Sequence, residues 1–175
     1  AHELQIKKQL GVAFEKIFLG HLISGHLNFP RRIATTYLNA SVYPVHKAFF
    51  EAVQQSLEAR GLTMPIRILK ADGGNMNFAS SIEFPGQTIL SGPAASVMGA
   101  VGYANDAVDS LVLDIGGTTT DISLFVSGAP LLEQHGARID PYLTQIRALF
   151  TRSIAAGGDS LVSVGDGELR VGPKR

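Results

Sequence analysis

The stretch Leu111-Val112-Leu113-Asp114-Ile115-Gly116-Gly117-Thr118-Thr119-Thr120-Asp121 decides the reading of this chain. An apolar strand delivers a carboxylate, Asp114, at its end. Two glycines then let the backbone turn with its amides facing open space. Three threonines put hydroxyls at the same turn, and a second strand leaves from Asp121. Amides and hydroxyls converging on one turn make a nest suited to phosphate. A carboxylate beside them suits Mg²⁺, which favours one or two carboxylates together with phosphate oxygens. An ordinary hairpin also uses Gly-Gly at its turn, but it has no need of three consecutive threonines between two aspartates.

Around this segment the apolar runs 110–115, 121–126 and 130–133, split by Gly116–Thr120 and by Ser127-Gly128, predict a three-strand meander. Upstream, Ser91-Gly92-Pro93-Ala94-Ala95 opens a narrow small-residue helix of about ten residues, with Ser91 as candidate N-cap. Downstream, 146–154 is apolar and fits a strand or a helix. Ala155–Ser160 is a glycine-rich loop, and 162–171 reads as a hairpin over Gly165-Asp166-Gly167. In the first half, residues 3–13 form a helical stripe and Lys16–Gly20 a short buried strand. Residues 30–60 read as mainly helical. Pro30 and Pro44 each fit a first helical turn, Val45, Phe49, Val53 and Leu57 repeat every fourth residue, and Gly61 sits where a C′ residue belongs. Pro65–Lys70 then predicts a strand entering the tight turn Asp72-Gly73-Gly74.

Composition narrows the function classes. The 175 residues are 45% apolar and 17% charged, with Lys+Arg and Asp+Glu both 15, so the net charge is zero. That balance excludes intrinsic disorder and argues against a general nucleic-acid binder, which carries a basic excess. With no Cys, disulfide scaffolds, thiolate zinc sites and cysteine nucleophiles are excluded. No apolar run approaches the ~18 residues of a membrane span. Glycine numbers 19, against roughly 12 at average usage, and only Gly11, Gly20, Gly25 and Gly61 precede residue 73. The start, Ala1-His2-Glu3-Leu4, carries no initiator Met and no signal or transit pattern, and the end stops on the turn Gly172-Pro173. Both ends read as cut, which makes the chain an expected fragment of a longer cytoplasmic protein.

The string Asp114–Asp121 resembles the phosphate-binding hairpin of the actin, Hsp70 and sugar-kinase ATPase superfamily. Within it, the wider pattern is similar to the hydantoinase A and 5-oxoprolinase family. Arg32, Thr35, Thr36, Asn39 and Ala40 match that family's Arg, Thr-Thr, Asn-Ala helix. Ala71-Asp72-Gly73-Gly74 stands at its Ser-Asn/Asp-Gly-Gly turn, and Ser91-Gly92-Pro93-Ala94 at its Ser-Gly-Pro-Ala. Ala156-Gly157-Gly158-Asp159-Ser160 resembles its Ala-Gly-Gly-Gly-Ser, and Leu169–Pro173 its Leu-Arg-Val-Gly-Pro. The resemblance runs from about Pro30 to Pro173. Two departures stand out. A second Asp-x-Gly-Gly-Thr hairpin, expected on the other lobe, is absent, and Asp159 replaces a glycine, placing a carboxylate where it repels phosphate unless a cation intervenes.

The resemblance implies an α/β fold: a ribonuclease H-like, actin-like ATPase lobe with a central mixed sheet flanked by the helices 30–60 and 92–104. It implies one domain over 1–175, forming one lobe of a larger two-lobed protein. ATP and Mg²⁺ are the implied cofactors. Asp114 is the implied catalytic residue, positioning Mg²⁺ through water. Gly116, Gly117, Thr118, Thr119 and Asp121 are the phosphate-binding candidates, with Ser91 and Gly92 at a helix start and Gly157, Gly158 and Ser160 in the glycine-rich loop. The implied reaction opens a cyclic amide, a hydantoin or 5-oxoproline, by phosphorylating its carbonyl oxygen before water attacks. An ATP-dependent ketone carboxylase subunit and a non-catalytic ATP-switched module are the alternatives. The missing lobes and a second hydantoinase-type subunit are the implied partners. His21 and His26 lack a third ligand at zinc spacing, and Arg31-Arg32 reads as a solvated or internally paired helix face.

Overall fold

A computed structural model describes residues 2–104 and 108–172. In chain order the helices are α1 (His2–Leu10), α2 (Gly20–Ile23), α3 (Phe29–Glu58), α4 (Phe78–Glu83) and α5 (Ser91–Ala100). The strands are β1 (Arg67–Leu69), β2 (Asn75–Asn77), β3 (Ser110–Ile115), β4 (Thr120–Val126), β5 (Ala129–Pro130), β6 (Arg138–Ile139), β7 (Tyr142–Leu143), β8 (Thr151–Ile154), β9 (Val162–Gly165) and β10 (Glu168–Val171). The fold is mixed α/β. It comprises two compact units, one from Ala1–Ser91 with Glu133–Ala148 and one from Gly92–Leu132 with Leu149–Arg175.

The first unit is organised by α3. Asn28 caps its start, accepting from the Arg31 amide at 3.1 Å, and Pro30 occupies the first turn. Its end closes as a Schellman motif, with Leu62 N–H on the Leu57 carbonyl, Gly61 N–H on the Glu58 carbonyl and Gly61 at φ +73°. Pro44 does not open a new helix as expected but lies inside this one. The ring removes the donor for the Ala40 carbonyl, and Ala40 is exposed.

The buried face of α3 is also not the expected one. Val45 and Phe49 are exposed, while Thr35, Leu38, Asn39, Tyr43 and His46 are buried. The polar members of that stripe are tied down. Thr35 Oγ1 donates to the Arg31 carbonyl and accepts from the Gln145 amide, both within 2.8 Å. Asn39 donates to the Thr35 carbonyl and accepts from the Gly86 amide. A Cβ on Gly86 would lie 2.6 Å from Asn39 Nδ2, so glycine there permits the approach. Arg31 donates to the carbonyls of His135 and Thr144, which binds the returning segment 133–148 to α3. Below these ties, Leu38, Ala71, Ala137, Ile146 and Ala148 form the core, with Ile89 and Ile139 against it.

Two further expectations are corrected. Lys16–Leu19 is extended but pairs with no strand; Leu19 is buried and Phe18 packs edge-on against Tyr43, ring centroids 5.5 Å apart. A central mixed sheet does not form among the described residues, where every pairing is antiparallel and the sheets are small. Short turns join most of these strands, and parallel pairing needs a crossover of about a dozen residues.

In the second unit β4 is the central strand. It pairs with β3 along one edge and along the other with β8, near the hairpin turn, and β5. The ambiguous run 146–154 therefore ends as a strand. Phe125 is 1% exposed and is the largest fully buried side chain. Ala94 and Val97, on the narrow helix α5, are buried as well. Asp166 and Gly167 at φ 54° and 79° make the predicted turn between β9 and β10. No helix among the described residues is long and apolar enough to cross a membrane.

His46 carries a pH dependence. Its Nε2 meets Ser81 Oγ at 3.0 Å, with Ser81 fully buried, and burial holds the imidazole below its ordinary pKa of 6.5. The unfolded chain therefore binds the proton more readily, so this contribution is complete above pH 6.5 and is lost as pH falls through the window beneath it. The urea midpoint is expected to drop between about pH 8 and about pH 5.5, and less steeply in His46→Gln. Identical slopes in the two proteins would remove His46 as the cause.

Candidate functional site

The second unit brings three of the motif segments together around the turn Gly116–Thr119. This turn is exposed and closes with the Gly116 amide on the Thr119 carbonyl at 2.9 Å. Among the described residues the amides of Gly117, Thr118 and Thr119 donate to no carbonyl, so the turn presents donors to solvent. Thr118 and Thr119 are exposed beside them. Thr120 differs from its neighbours: it is 9% exposed and its hydroxyl donates to the Ala156 carbonyl at 2.6 Å. One of the three threonines is thus a structural tie between hairpin and loop.

The register places Asp114 directly opposite Asp121, and Asp121 opposite Ser153. Residues paired in this way share a sheet face, and like charges so placed repel. Each carboxylate has a hydroxyl donor. Ser96 Oγ on α5 donates to Asp114 Oδ2, and Ser153 Oγ on β8 donates to Asp121 Oδ1. Neither serine is visible as functional in the sequence. Ser96 lies in a small-residue helix whose composition speaks only of packing, and Ser153 lies in the run whose secondary structure was ambiguous.

The glycine-rich loop lies along the turn backbone to backbone. Gly158 and Asp159 amides donate to the carbonyls of Gly116 and Gly117 at 2.9 and 2.8 Å. The loop is closed on itself by the Ser160 amide on the Gly157 carbonyl and the Gly157 amide on Ser160 Oγ. A Cβ on Gly157 would sit 2.6 Å from both hairpin carbonyls. Asp159 reaches the tip of the turn: a Cβ on Gly117 would lie 2.9 Å from its Oδ2. Gly172 closes the arrangement from the last hairpin, at φ +58° with the space for a Cβ 2.7 Å from the Ala155 carbonyl. Pro173 lies outside the described residues.

Gly92 makes no hydrogen bond to this cluster among the described residues, and Ser91 belongs to the first unit. Ser91 is the first helical residue of α5 rather than a residue before it, preceded by Leu90 at φ 68°. No group of three acidic or histidine side chains capable of holding a metal occurs among the described residues. The two facing aspartates match the smaller demand of Mg²⁺, which takes one or two carboxylates and completes its shell with water and phosphate oxygens.

Residues 32–175 match the hydantoinase/oxoprolinase family. The chain belongs to that family. Caprolactamase subunit alpha of Pseudomonas jessenii is 28% identical over 99% of this chain and 26% of that protein. The 5-oxoprolinase of Saccharomyces cerevisiae is 30% identical over 93% of this chain and 12% of that protein. The gamma subunit of acetophenone carboxylase from Aromatoleum aromaticum is 25% identical over 99% of this chain and 25% of that one. The chain therefore spans between 12% and 26% of the length of these relatives. A nucleotide-free acetone carboxylase structure, from work on ATP-dependent acetone carboxylation, superposes with a TM-score of 0.69 over 98% of this chain and 24% of that one, at 19% identity. The family's members thus include cyclic-amide hydrolases and ketone carboxylases, and two of these relatives are subunits of larger enzymes.

The backbone contact at Gly157 yields a stability prediction. Gly157→Ala is expected to cost about 1–3 kcal/mol, because the hairpin carbonyls must move. Gly92→Ala, with nothing within 4 Å of the new methyl, is expected to be neutral or stabilising. Denaturation midpoints of the two variants test the contrast, and an equally unperturbed Gly157→Ala would refute the close approach.

Proposed function

We infer that this chain is one lobe of an ATP-dependent enzyme that opens a cyclic amide, and that the turn Gly116–Thr119 holds ATP phosphate. The observation carrying this reading is the exposed turn itself, with its outward amides and hydroxyls between two facing carboxylates and its backbone clamped by Gly158 and Asp159. Backbone donors held in place in this way need no rearrangement to meet developing phosphate charge. Asp114 and Asp121 are the residues that would hold Mg²⁺, through water. The ion would supply the positive charge that offsets phosphate, the two aspartates and the neighbouring Asp159. Ser96 and Ser153 orient the two carboxylates. Gly116, Gly117, Thr118 and Thr119 bind phosphate oxygens, while Gly157, Gly158 and Ser160 act by holding the turn.

A lactam is a poor electrophile, and phosphorylation of its carbonyl oxygen makes the attached carbon open to water. Phosphoryl transfer is mostly positioning and electrostatics, so the hairpin must be met by a second lobe across the nucleotide. That second lobe, in the ribonuclease H-like arrangement of actin-type ATPases, is proposed to lie elsewhere in the longer protein, with a further subunit of hydantoinase type as partner. The likeness to the acetone carboxylase fold and the acetophenone carboxylase subunit supports a second reading, in which the same hairpin serves ATP-dependent carboxylation of a ketone.

The 175-residue chain alone is expected to release no phosphate from ATP. The longer protein carrying it is expected to do so with 5-oxoproline or a hydantoin, and Asp114→Ala to reduce turnover at least about a hundredfold. Phosphate release that requires a ketone plus bicarbonate, and ignores cyclic amides, would select the carboxylase reading. Turnover by the isolated chain that vanishes in Asp114→Ala would overturn the two-lobed reading.

A further inference from the structure

The first unit contains a cavity of about 270 Å³ to which no role has been given. Two family segments meet on its wall: Thr35 and Asn39 of α3, and Lys70 and Asp72 of the turn after β1. Gln87 and Arg147 line it as well, and Phe84 and Ile146 supply apolar surface.

What the lining groups leave unsatisfied defines the ligand. Thr35 Oγ1 both donates and accepts within the fold, and Asn39 spends one N–H and its carbonyl oxygen there. Both oxygens of Asp72 are occupied, one by the Gly74 amide at 3.0 Å and one by Lys70 Nζ at 3.1 Å. Lys70 has two further N–H donors with no partner among the described residues. The Gln87 side-chain amide has none there either, although its backbone carbonyl accepts from Ala71. Arg147 makes neither ion pair nor hydrogen bond among the described residues. Two cations against one carboxylate leave a single surplus positive charge on the wall. A guanidinium presents a planar fork that matches a carboxylate with two parallel bonds. Asp72 at the same wall disfavours a dianion. The volume falls just below the range of drug-sized pockets and suits a molecule the size of an amino acid.

We propose that this cavity binds a small organic monocarboxylate, its carboxylate on Arg147 and Lys70 and a second polar group, such as an amide, on Gln87. Its lining residues all belong to the first unit, and the proposal does not rest on the ATP reading.

The test is a titration of the ¹⁵N-labelled 175-residue chain with L-5-oxoproline, with 2-pyrrolidinone as the same lactam without its carboxylate and with inorganic phosphate. Saturating shifts centred on Lys70, Gln87 and Arg147 are expected with 5-oxoproline, and none that saturate over the same range with 2-pyrrolidinone. Arg147→Gln is expected to weaken binding about tenfold or more. Gln87→Leu provides a second variant should Arg147→Gln lose its amide dispersion, and it is expected to weaken 5-oxoproline about threefold or more. Equal binding of 2-pyrrolidinone, tighter binding of phosphate, or variants at both lining positions that bind like the parent chain would each overturn the proposal.

Discussion

The amides of Gly158 and Asp159 donate to the carbonyls of Gly116 and Gly117, and this pairing brings two backbones closer than any side chain at 157 would allow. Much of the second unit's site follows from it. With the two carbonyls directed into the loop, the remaining amides of the turn are left facing outward. Thr120 extends the same seam by donating to the Ala156 carbonyl, so the strand following the turn is held at the same level as the loop. Gly172 then fills the last place where a side chain would intrude, against Ala155 and Ser160. Gly157 and Gly172 thus serve close backbone contacts.

The facing aspartates express the opposite kind of constraint. Asp114 and Asp121 are locked into register by the hairpin and repel each other there. A fold selected only for stability has no reason to keep such a pair. Hydroxyls from Ser96 and Ser153 reduce the repulsion without cancelling the charge, and Asp159 adds a third carboxylate at the tip. Under the proposed reading, a cation held by Asp114 and Asp121 would also offset the charge of Asp159, which stands where the family has glycine.

Features governed by local chemistry were legible in the sequence. The turns at Gly61 and at Asp166-Gly167 need the positive φ that glycine or a short polar residue supplies, the turn Gly116–Thr119 needs the space a side chain at 117 would take, and the chain carries those residues where the turns occur. The small-residue helix 91–100 and the strands β3 and β4 follow for similar reasons. Features decided by distant partners were not legible. Lys16–Leu19 has a strand's composition, but no strand is available to pair with it. Pro44 reads as a helix start because its tolerance depends on Ala40 facing water. Val45 and Phe49 of the four-residue apolar repeat are exposed while Thr35, Asn39 and His46 find partners in residues 145, 86 and 81. Ser96 and Ser153 were invisible for the same reason: a serine becomes a carboxylate's donor only through the register that brings it there.

The segment Arg31–Asn39 shows how such partners separate fold from function. An arginine and hydroxyls beside a glycine turn are the residue types expected of a ligand site, yet most of them bind the chain to itself. Arg31 takes two backbone carbonyls, Thr35 takes the Gln145 amide and Asn39 takes Gly86. Arg32 lies over the Phe29 ring, 5.7 Å from its centroid. Their common effect is to hold the returning strand segment 133–148 along α3. That segment delivers Arg147 to the edge of a cavity where its charge meets no counterpart within the described chain. The polar stripe of α3 thus serves as scaffold, and chemical capacity passes to the residue the scaffold positions. The internally paired face expected of Arg31-Arg32 is what the structure shows, and its effect is to place another residue.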